Sequence, residues 1–316
     1  MQFPSVRVSV LAMLACATPV AVWAADGPLP ANDTGITVAR RAPLGTSLNV
    51  PGPRSIRLDI KVVQIPVTVT DVLDHPVGGL RKDDFHLFED NVEQEIAYLS
   101  TEEAPVSVGL IFDASGSMKN KIETSVAAVD QFFETKLPGD EYLLVRFSTL
   151  PHLLTGFTAD SNEISGWLHA SDPAGWTALY DAIYLGIQKM KTAKNPRKAL
   201  LILSDGGDNN SRYTASEIRS LVREADVRVY SLGLLQGSHF LERISEETGG
   251  RMIHVHKMAD LPDAMEKLSR DLRSQYVLGY YSKNGQNDGR YRHVRVQVAQ
   301  PSVRASWRRG YYAPIE

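Results

Sequence analysis

The spacing of apolar residues predicts two kinds of structure along this chain. Between Val106 and Leu272, short continuous apolar runs alternate with segments in which apolar residues recur every three or four positions, as in amphipathic helices. The run from Val106 to Phe112 is typical of a strand that is buried on both faces. Strands that alternate with helices favour an α/β fold, a doubly wound and mostly parallel sheet covered on both faces.

The segments on either side of this region show the two-residue alternation of half-buried strands. Residues 56–99 contain such strands, separated by turns that are rich in Asp, Asn and Gly. The C-terminal set is too short to form a domain alone. We therefore expect the two sets to form one small β-sandwich, with the α/β domain inserted between them. The predicted strands of the second set are 275–281, 292–298 and 303–312.

The N-terminus has the features of a secretory signal peptide. A short segment with one arginine is followed by a mostly apolar stretch, and Val22-Trp23-Ala24 resembles a signal-peptidase site. Cleavage after Ala24 would remove Cys16, the chain's one cysteine, although lipidation of Cys16 remains an alternative. We therefore expect an exported protein, periplasmic, secreted or on the cell surface, with no transmembrane segment after signal cleavage.

Composition agrees with a folded, multi-part chain. Hydrophobic residues make up 43% and charged residues 22%, and the net charge of -3 gives no reason to expect a nucleic-acid partner. The predicted organisation is a signal peptide, a flexible Pro- and Gly-rich leader, the first part of the sandwich, the α/β domain and the second part of the sandwich. These parts span residues 1–24, 25–55, 56–103, 104–273 and 274–316.

Oxygen-bearing side chains follow several of the predicted strands and loops. Asp113, Ser115 and Ser117 alternate at the end of the first buried strand, Thr177 lies in a later loop, and Asp205 follows the strand 198–203. The carboxyl ends of parallel strands meet at one edge of a sheet, so we expect these side chains to converge there. A set of oxygen ligands with few charges suits a hard cation such as Mg²⁺.

The order D-x-S-x-S, then T, then D resembles the metal-ion-dependent adhesion site of the von Willebrand factor A (VWA, integrin I-like) family, over roughly residues 105–272. The resemblance implies that the cation is Mg²⁺, with Mn²⁺ or Ca²⁺ as alternatives. It also implies a non-enzymatic role in protein binding or adhesion, in which an acidic side chain of a partner protein completes the metal shell. The implied direct ligands are Ser115 and Ser117, Thr177 binds directly or through water, and Asp113 and Asp205 bind largely through water.

The sequence also shows a narrower resemblance in the flanking segments, and it leaves the roles of Trp176 and Asp208 open. Residues 83–100 and 276–312 resemble VWA-related proteins that are common in acidobacteria, which adds architecture more than function. Family members often have a small residue before the threonine, whereas this chain has Trp176, which either rims the site or fills a core. Asp208 either assists the site or caps its own loop.

Other interpretations of the same residues remain open at this point. Ser115 and Ser117 would also serve a helix N-terminus without any metal, leaving a metal-independent scaffold with a vestigial site. A haloacid-dehalogenase-like phosphatase would use Asp113 as its nucleophile, but Ser115 replaces the second acid of that motif. No nucleophile elbow, Walker A or G-x-G-x-x-G motif is present.

Overall fold

The computed structural model describes residues 62–101, 104–235 and 238–315. These residues form fourteen strands and six α-helices. The strands are β1 Val62–Thr70, β2 Phe85–Glu89, β3 Val92–Gln94, β4 Ile96–Ser100, β5 Val106–Asp113, β6 Glu141–Phe147, β7 Pro151–Thr158, β8 Arg197–Ser204, β9 Arg228–Leu234, β10 Met252–Val255, β11 Tyr276–Tyr281, β12 Tyr291–Val298, β13 Arg304–Trp307 and β14 Gly310–Tyr312. The helices are α1 Ile122–Glu134, α2 Ser161–His169, α3 Leu179–Met190, α4 Ala215–Glu224, α5 His239–Thr248 and α6 Leu261–Arg273.

The central sheet has the strand order β10-β9-β8-β5-β6-β7. Its first five strands are parallel, and β7 runs antiparallel to β6 at the edge. Every residue of β5 is buried, as its continuous apolar run predicts. Helices α1, α2 and α6 pack on one face of the sheet and α3, α4 and α5 on the other. The predicted doubly wound α/β fold is confirmed.

Local sequence signals explain several helix ends in this domain. Helix α4 begins with a capping box, in which the Thr214 hydroxyl accepts from the Glu217 amide and the Glu217 carboxylate accepts from the Thr214 amide. Helix α5 ends at Gly249, whose φ of 81° lies in the left-handed region that glycine adopts without steric cost. These ends fix the lengths of two helices that cover the sheet.

The two ends of the described chain pair to form the predicted sandwich. One sheet has the order β13-β1-β11-β4 and the other β14-β12-β2-β3. In the first, Ile65 lies opposite Leu278 in an antiparallel pair. In the second, Leu87 lies opposite Val296, and all four side chains belong to one hydrophobic core. Neither set of strands could bury this core alone, which is why the ends associate.

The C-terminal strand differs from the prediction. Residues 303–312 form two strands, and β13 and β14 belong to different sheets of the sandwich. Between them Arg309 donates its amide to Glu247 O of α5 at 3.1 Å, and Arg308 packs against Gly249, where an added Cβ would lie 2.4 Å from the Arg308 nitrogen. The contact with α5 draws the backbone out of the first sheet, so the prediction of one continuous strand is wrong.

Helix α1 begins at Ile122, the first of its apolar residues at helical spacing, and residues 116–118 before it form a 3₁₀ turn. Among the described residues, no helix has the length and apolar composition needed to cross a membrane.

A buried carboxylate between the two halves of the fold should make stability depend on pH. Asp271 on α6 is 2% exposed and pairs with Arg251, which also contacts Asp74 of the sandwich at 2.9 Å. Burial raises the pKa of Asp271 from 3.8 to about 6, although Arg251 opposes the shift. Folding therefore favours the protonated form, so the stabilisation from this group is complete below pH 4 and is lost as pH rises through 6.

We expect this loss to be about 3 kcal/mol, at 1.36 kcal/mol for each unit of the pKa difference. The free energy of urea unfolding, measured from pH 4 to pH 7.5, should fall relative to that of Asp271→Asn by this amount. Asp263→Asn, which removes an exposed acid from the same helix, serves as the control and should follow the wild-type profile. Parallel profiles for the wild type and Asp271→Asn would show that Asp271 is not the titrating group.

Candidate metal centre

Three segments bring the predicted site residues to the carboxyl edge of the central sheet. Strand β5 ends at Asp113, and its neighbour β8 ends at Ser204, directly before Asp205. Thr177 lies in the loop before α3. The strands β5 and β8 are parallel and paired up to Phe112 and Leu203, so the residues that follow them emerge side by side.

Asp113 is the buried base of the site. The residue is 0% exposed, and its two carboxylate oxygens accept from the Ser115 amide at 2.8 Å and the Ser204 hydroxyl at 2.6 Å. Burial raises the pKa of Asp113, and the hydrogen bonds from Ser204 and Ser115 oppose that shift. The carboxylate is therefore held in one orientation under the two serines.

A chain of hydrogen bonds joins the serines to Asp205. The hydroxyl oxygens of Ser115 and Ser117 lie 3.1 Å apart, and the Ser117 hydroxyl donates to Asp205 Oδ1 at 2.8 Å. Ser115 occupies the N-cap position of the 3₁₀ turn, as the helix N-terminus interpretation predicts, but its side chain makes no capping hydrogen bond there. Its hydroxyl contacts that of Ser117 instead.

Thr177 is fixed beside this chain by its backbone. Its amide donates to Asn209 Oδ1 at 2.8 Å, and its carbonyl accepts from the Asn209 amide at 3.0 Å. The preceding Gly175 accepts from the Gly116 amide at 3.1 Å, which ties the threonine loop to the serine loop. Within the described residues, the Thr177 hydroxyl has no hydrogen-bond partner, so it remains available to a ligand.

Lys121 is a component of the site that the sequence interpretation missed. Its ammonium group pairs with Asp205 Oδ2 and donates to the Ser117 carbonyl at 3.1 Å. The Lys121 side chain is 16% exposed. A lysine four residues after Ser117, next to a predicted helix start, has the appearance of a solvent-exposed residue, so only the fold reveals this contact. A positive charge thus lies against one of the predicted carboxylates.

The structure answers the two open questions about neighbouring residues. Trp176 is 63% exposed, so the suggestion that it fills a core is wrong and its ring stands at the surface beside Thr177. Asp208 accepts from the Tyr180 amide at 3.2 Å and the Ser211 amide at 3.3 Å. It therefore caps α3 and its own loop, and the capping interpretation is confirmed.

The donors at this edge fit a hard divalent cation. Hydroxyls and two carboxylates are oxygen donors of the kind that Mg²⁺ binds, often with several waters retained. In the part of the chain that the structure describes, no group of three or more His, Cys, Asp or Glu side chains is arranged to hold a metal.

The phosphatase interpretation is poorly supported by the same geometry. A nucleophilic carboxylate must reach substrate, whereas Asp113 is 0% exposed and both of its oxygens accept hydrogen bonds from the protein. The position of the second acid is held by Ser115, whose hydroxyl contacts Ser117.

The fold and this edge together define a doubly wound α/β domain with an oxygen-rich ligand site. Comparison with family models gives a more specific result: residues 108–207 match the von Willebrand factor type A domain. The match runs from β5 to the loop after β8 and includes all five predicted site residues. The narrower likeness to acidobacterial proteins stays a prediction. A search of curated proteins finds no match to the chain.

Solved structures with a similar fold come from distant sources. Proximal thread matrix protein 1 from the mussel byssus aligns with a TM-score of 0.50 and 18% identity over 58% of this chain, which spans 51% of the mussel chain. The vWF domain of the type V pili tip protein Mfa5 from Porphyromonas gingivalis aligns with a TM-score of 0.46 and 14% identity. That alignment covers 54% of this chain and 95% of the Mfa5 domain. An aerotolerance-related membrane protein from Bacteroides fragilis aligns with a TM-score of 0.44 and 16% identity. That alignment covers 53% of this chain and 98% of the Bacteroides chain.

Proposed function

We propose that this protein binds a partner protein through a divalent cation, Mg²⁺ or in its place Mn²⁺ or Ca²⁺, held at the carboxyl edge of the central sheet. The observation that carries the proposal is the hydrogen-bonded chain from Ser115 through Ser117 to Asp205, which lies inside the segment that matches the type A domain. Ser115 and Ser117 would bind the ion directly, Thr177 directly or through water, and Asp113 and Asp205 through water.

The chemistry of these ligands favours capture of an acidic group. Neutral hydroxyls leave much of the cation's charge uncompensated, so a carboxylate from a partner completes its shell. The carboxylates of the site are already engaged by Ser204, Ser115, Ser117 and Lys121, which suits positioning rather than bond-making. The function is therefore binding, and the protein is not an enzyme.

Export is part of the same proposal. The predicted signal peptide and leader, residues 1–24 and 25–55, lie outside the described residues, so the support for export is the sequence pattern alone. An exported chain would present the metal centre to partners in the periplasm, on the cell surface or outside the cell.

One observation favours a second candidate function, that of a metal-independent scaffold. The Lys121 ammonium already compensates the charge of Asp205, so the loops at this edge can be held together without a metal ion. In that case the contacts with a partner would be made by the sandwich or by other surfaces.

A retention experiment distinguishes the two functions. The chain from Ala25 onward is immobilised, and proteins of a cell-envelope extract are bound in Mg²⁺ or in EDTA. Asp113→Asn is the test variant, since an amide keeps an acceptor for the Ser115 amide. Retention of a specific protein in Mg²⁺, lost in EDTA and in Asp113→Asn, would support the metal-dependent function. Equal retention under all three conditions would favour the scaffold.

Trp176 should contribute to partner binding without affecting the metal. Its exposed ring lies next to Thr177, and exposed aromatic side chains at interfaces often account for about 1–3 kcal/mol of binding energy. Trp176→Ala is expected to weaken retention of the partner about tenfold or more, with unchanged Mg²⁺ affinity by calorimetry. The control is Trp167→Ala, a 45% exposed tryptophan on α2. Equal losses in both variants would remove Trp176 from the interface.

A further inference from the structure

A cavity lies at the edge of the central sheet opposite the metal centre. Its volume is about 310 Å³, and it is bounded by the amino ends of β8 and β9, the C-terminal end of α6, and the sandwich strands β1, β4 and β11. Because β8 and β9 are parallel, their beginnings are separated from the carboxyl edge by the length of the sheet. The cavity therefore shares no residue with the metal centre.

The lining of this cavity is strongly basic. Among the described residues that line it, one is an acid, Asp226, which pairs with Arg308 at 2.9 Å and has a side chain that is 90% exposed. This carboxylate compensates Arg308, whereas no ion pair joins Lys198 or Arg228 to a carboxylate of the described residues, so these two side chains make the potential in the cavity positive. The cationic residues of the lining are Arg197, Lys198, Arg228 and Arg308.

Arg228 is the most informative residue of the lining. The residue is 8% exposed, and its guanidinium donates to Pro66 O, to the Thr68 hydroxyl at 3.2 Å and to the Tyr230 hydroxyl at 3.5 Å. All three acceptors are neutral, and no carboxylate of the described residues lies within ion-pair distance of Arg228. A buried cation without a counter-charge is costly, which makes this guanidinium a strong anion receptor.

Other well-buried arginine side chains in this fold have carboxylate partners. Arg292 lies 2.8 Å from Asp288, and Arg273 lies 2.9 Å from Asp140. Arg228 differs from these two because its neutral contacts fix the guanidinium in place while leaving its charge uncompensated beside the cavity.

The remaining lining determines the size and shape of a suitable ligand. Lys198 donates a long hydrogen bond of 3.4 Å to the Met190 carbonyl, so its ammonium can turn to a better acceptor. The volume is at the small end of the range of about 300–1,000 Å³ found for small-molecule sites. The apolar part of the wall includes Pro66, Pro196, Val227, Leu272 and Val277.

We propose that this cavity binds a small organic anion through a carboxylate or phosphate group that pairs with Arg228 and Lys198. A guanidinium presents paired N–H donors that match the geometry of both groups. The rest of the ligand would pack against the apolar wall. This site belongs to the seam between the sandwich and the α/β domain, so its occupant would also link the two halves of the fold.

Calorimetric titration with two probes, citrate and inorganic phosphate, tests the proposal and distinguishes carboxylate from phosphate recognition. Both titrations are done on protein freed of divalent cations with a chelating resin, so that no cation at the metal centre contributes and no soluble polycarboxylate competes for the cavity. The wild type is expected to bind at least one probe saturably, and added NaCl should weaken that binding because it is electrostatic. If neither citrate nor phosphate binds saturably up to about 10 mM, the proposal is overturned.

Lys198→Gln and Arg228→Gln locate the binding. Lys198→Gln should weaken it about fivefold or more, because one of two charge-assisted contacts is lost. Arg290→Gln, which removes an 81% exposed arginine side chain from the sandwich, is the matched control and should bind as the wild type does. Arg228→Gln should abolish binding, and if that variant does not fold, Lys198→Gln decides alone. Unchanged affinity in Lys198→Gln would place the anion elsewhere and overturn the proposal.

Discussion

Replacing Ser115 and Ser117 together by alanine is expected to lower the affinity for Mg²⁺ about 100-fold or more while the chain remains folded. The two hydroxyls are the proposed direct ligands, and among the described residues no other hydroxyl lies in the hydrogen-bonded chain that ends at Asp205. The cost to stability should be small, on the order of 1 kcal/mol for the lost bond from Ser117 to Asp205. Asp205 keeps its contact with Lys121.

The measurement is calorimetric titration with Mg²⁺, accompanied by thermal unfolding followed by circular dichroism. A matched control, Ser220→Ala/Ser274→Ala, removes two exposed serine hydroxyls from α4 and the end of α6. It should bind Mg²⁺ with wild-type affinity. Wild-type affinity in Ser115→Ala/Ser117→Ala as well would mean that any bound cation is held by other residues.

Removing the charge of Lys121 is expected to act in the opposite direction. The Lys121 ammonium lies against Asp205 and Ser117. It therefore repels an incoming divalent cation, and it is already paired with Asp205, one of the two carboxylates of the site. Two unit charges about 4 Å apart interact with about 4 kcal/mol at an effective dielectric constant of about 20, and partial exposure of the lysine reduces this. We therefore expect Lys121→Met to raise the Mg²⁺ affinity by at least about tenfold, or 1.4 kcal/mol.

Lys119→Met is the control for a general change of charge, because Lys119 is exposed two residues earlier. It should alter the Mg²⁺ affinity by less than about twofold, as expected for a screened surface charge. Thermal unfolding in EDTA should show Lys121→Met to be less stable than the wild type, since Asp205 then lacks its counter-charge. Weaker Mg²⁺ binding in Lys121→Met would indicate that the lysine supports the metal site rather than competing with it.

Much of the fold could be predicted because its signals are local. The buried run of β5 and the helical spacing of α3 each identify an element without knowledge of the rest of the chain. The sandwich could be predicted from an energetic argument, since neither terminal set of strands can bury a core alone. The strand break at Arg308 and Arg309 could not, because it depends on contact with the end of α5.

The same distinction applies to the candidate site. Asp113 is the last residue of one buried strand and Asp205 directly follows another, so their meeting at one edge is a consequence of parallel topology. Lys121 could not be assigned from the sequence, because its role depends on the direction of a flexible side chain at the start of α1. Arg228 is a similar case, since its burial and its neutral partners come from the packing of β1 of the sandwich against β9.

Anomalous diffraction from crystals grown with Mn²⁺ would locate the bound cation. We expect an anomalous peak at bonding distance from the hydroxyl oxygens of Ser115 and Ser117, with the Lys121 ammonium displaced from Asp205. If no peak appears at this edge under saturating Mn²⁺ and Lys121 is still paired to Asp205, these residues do not bind the cation. The metal-independent scaffold would then be the better description of the protein.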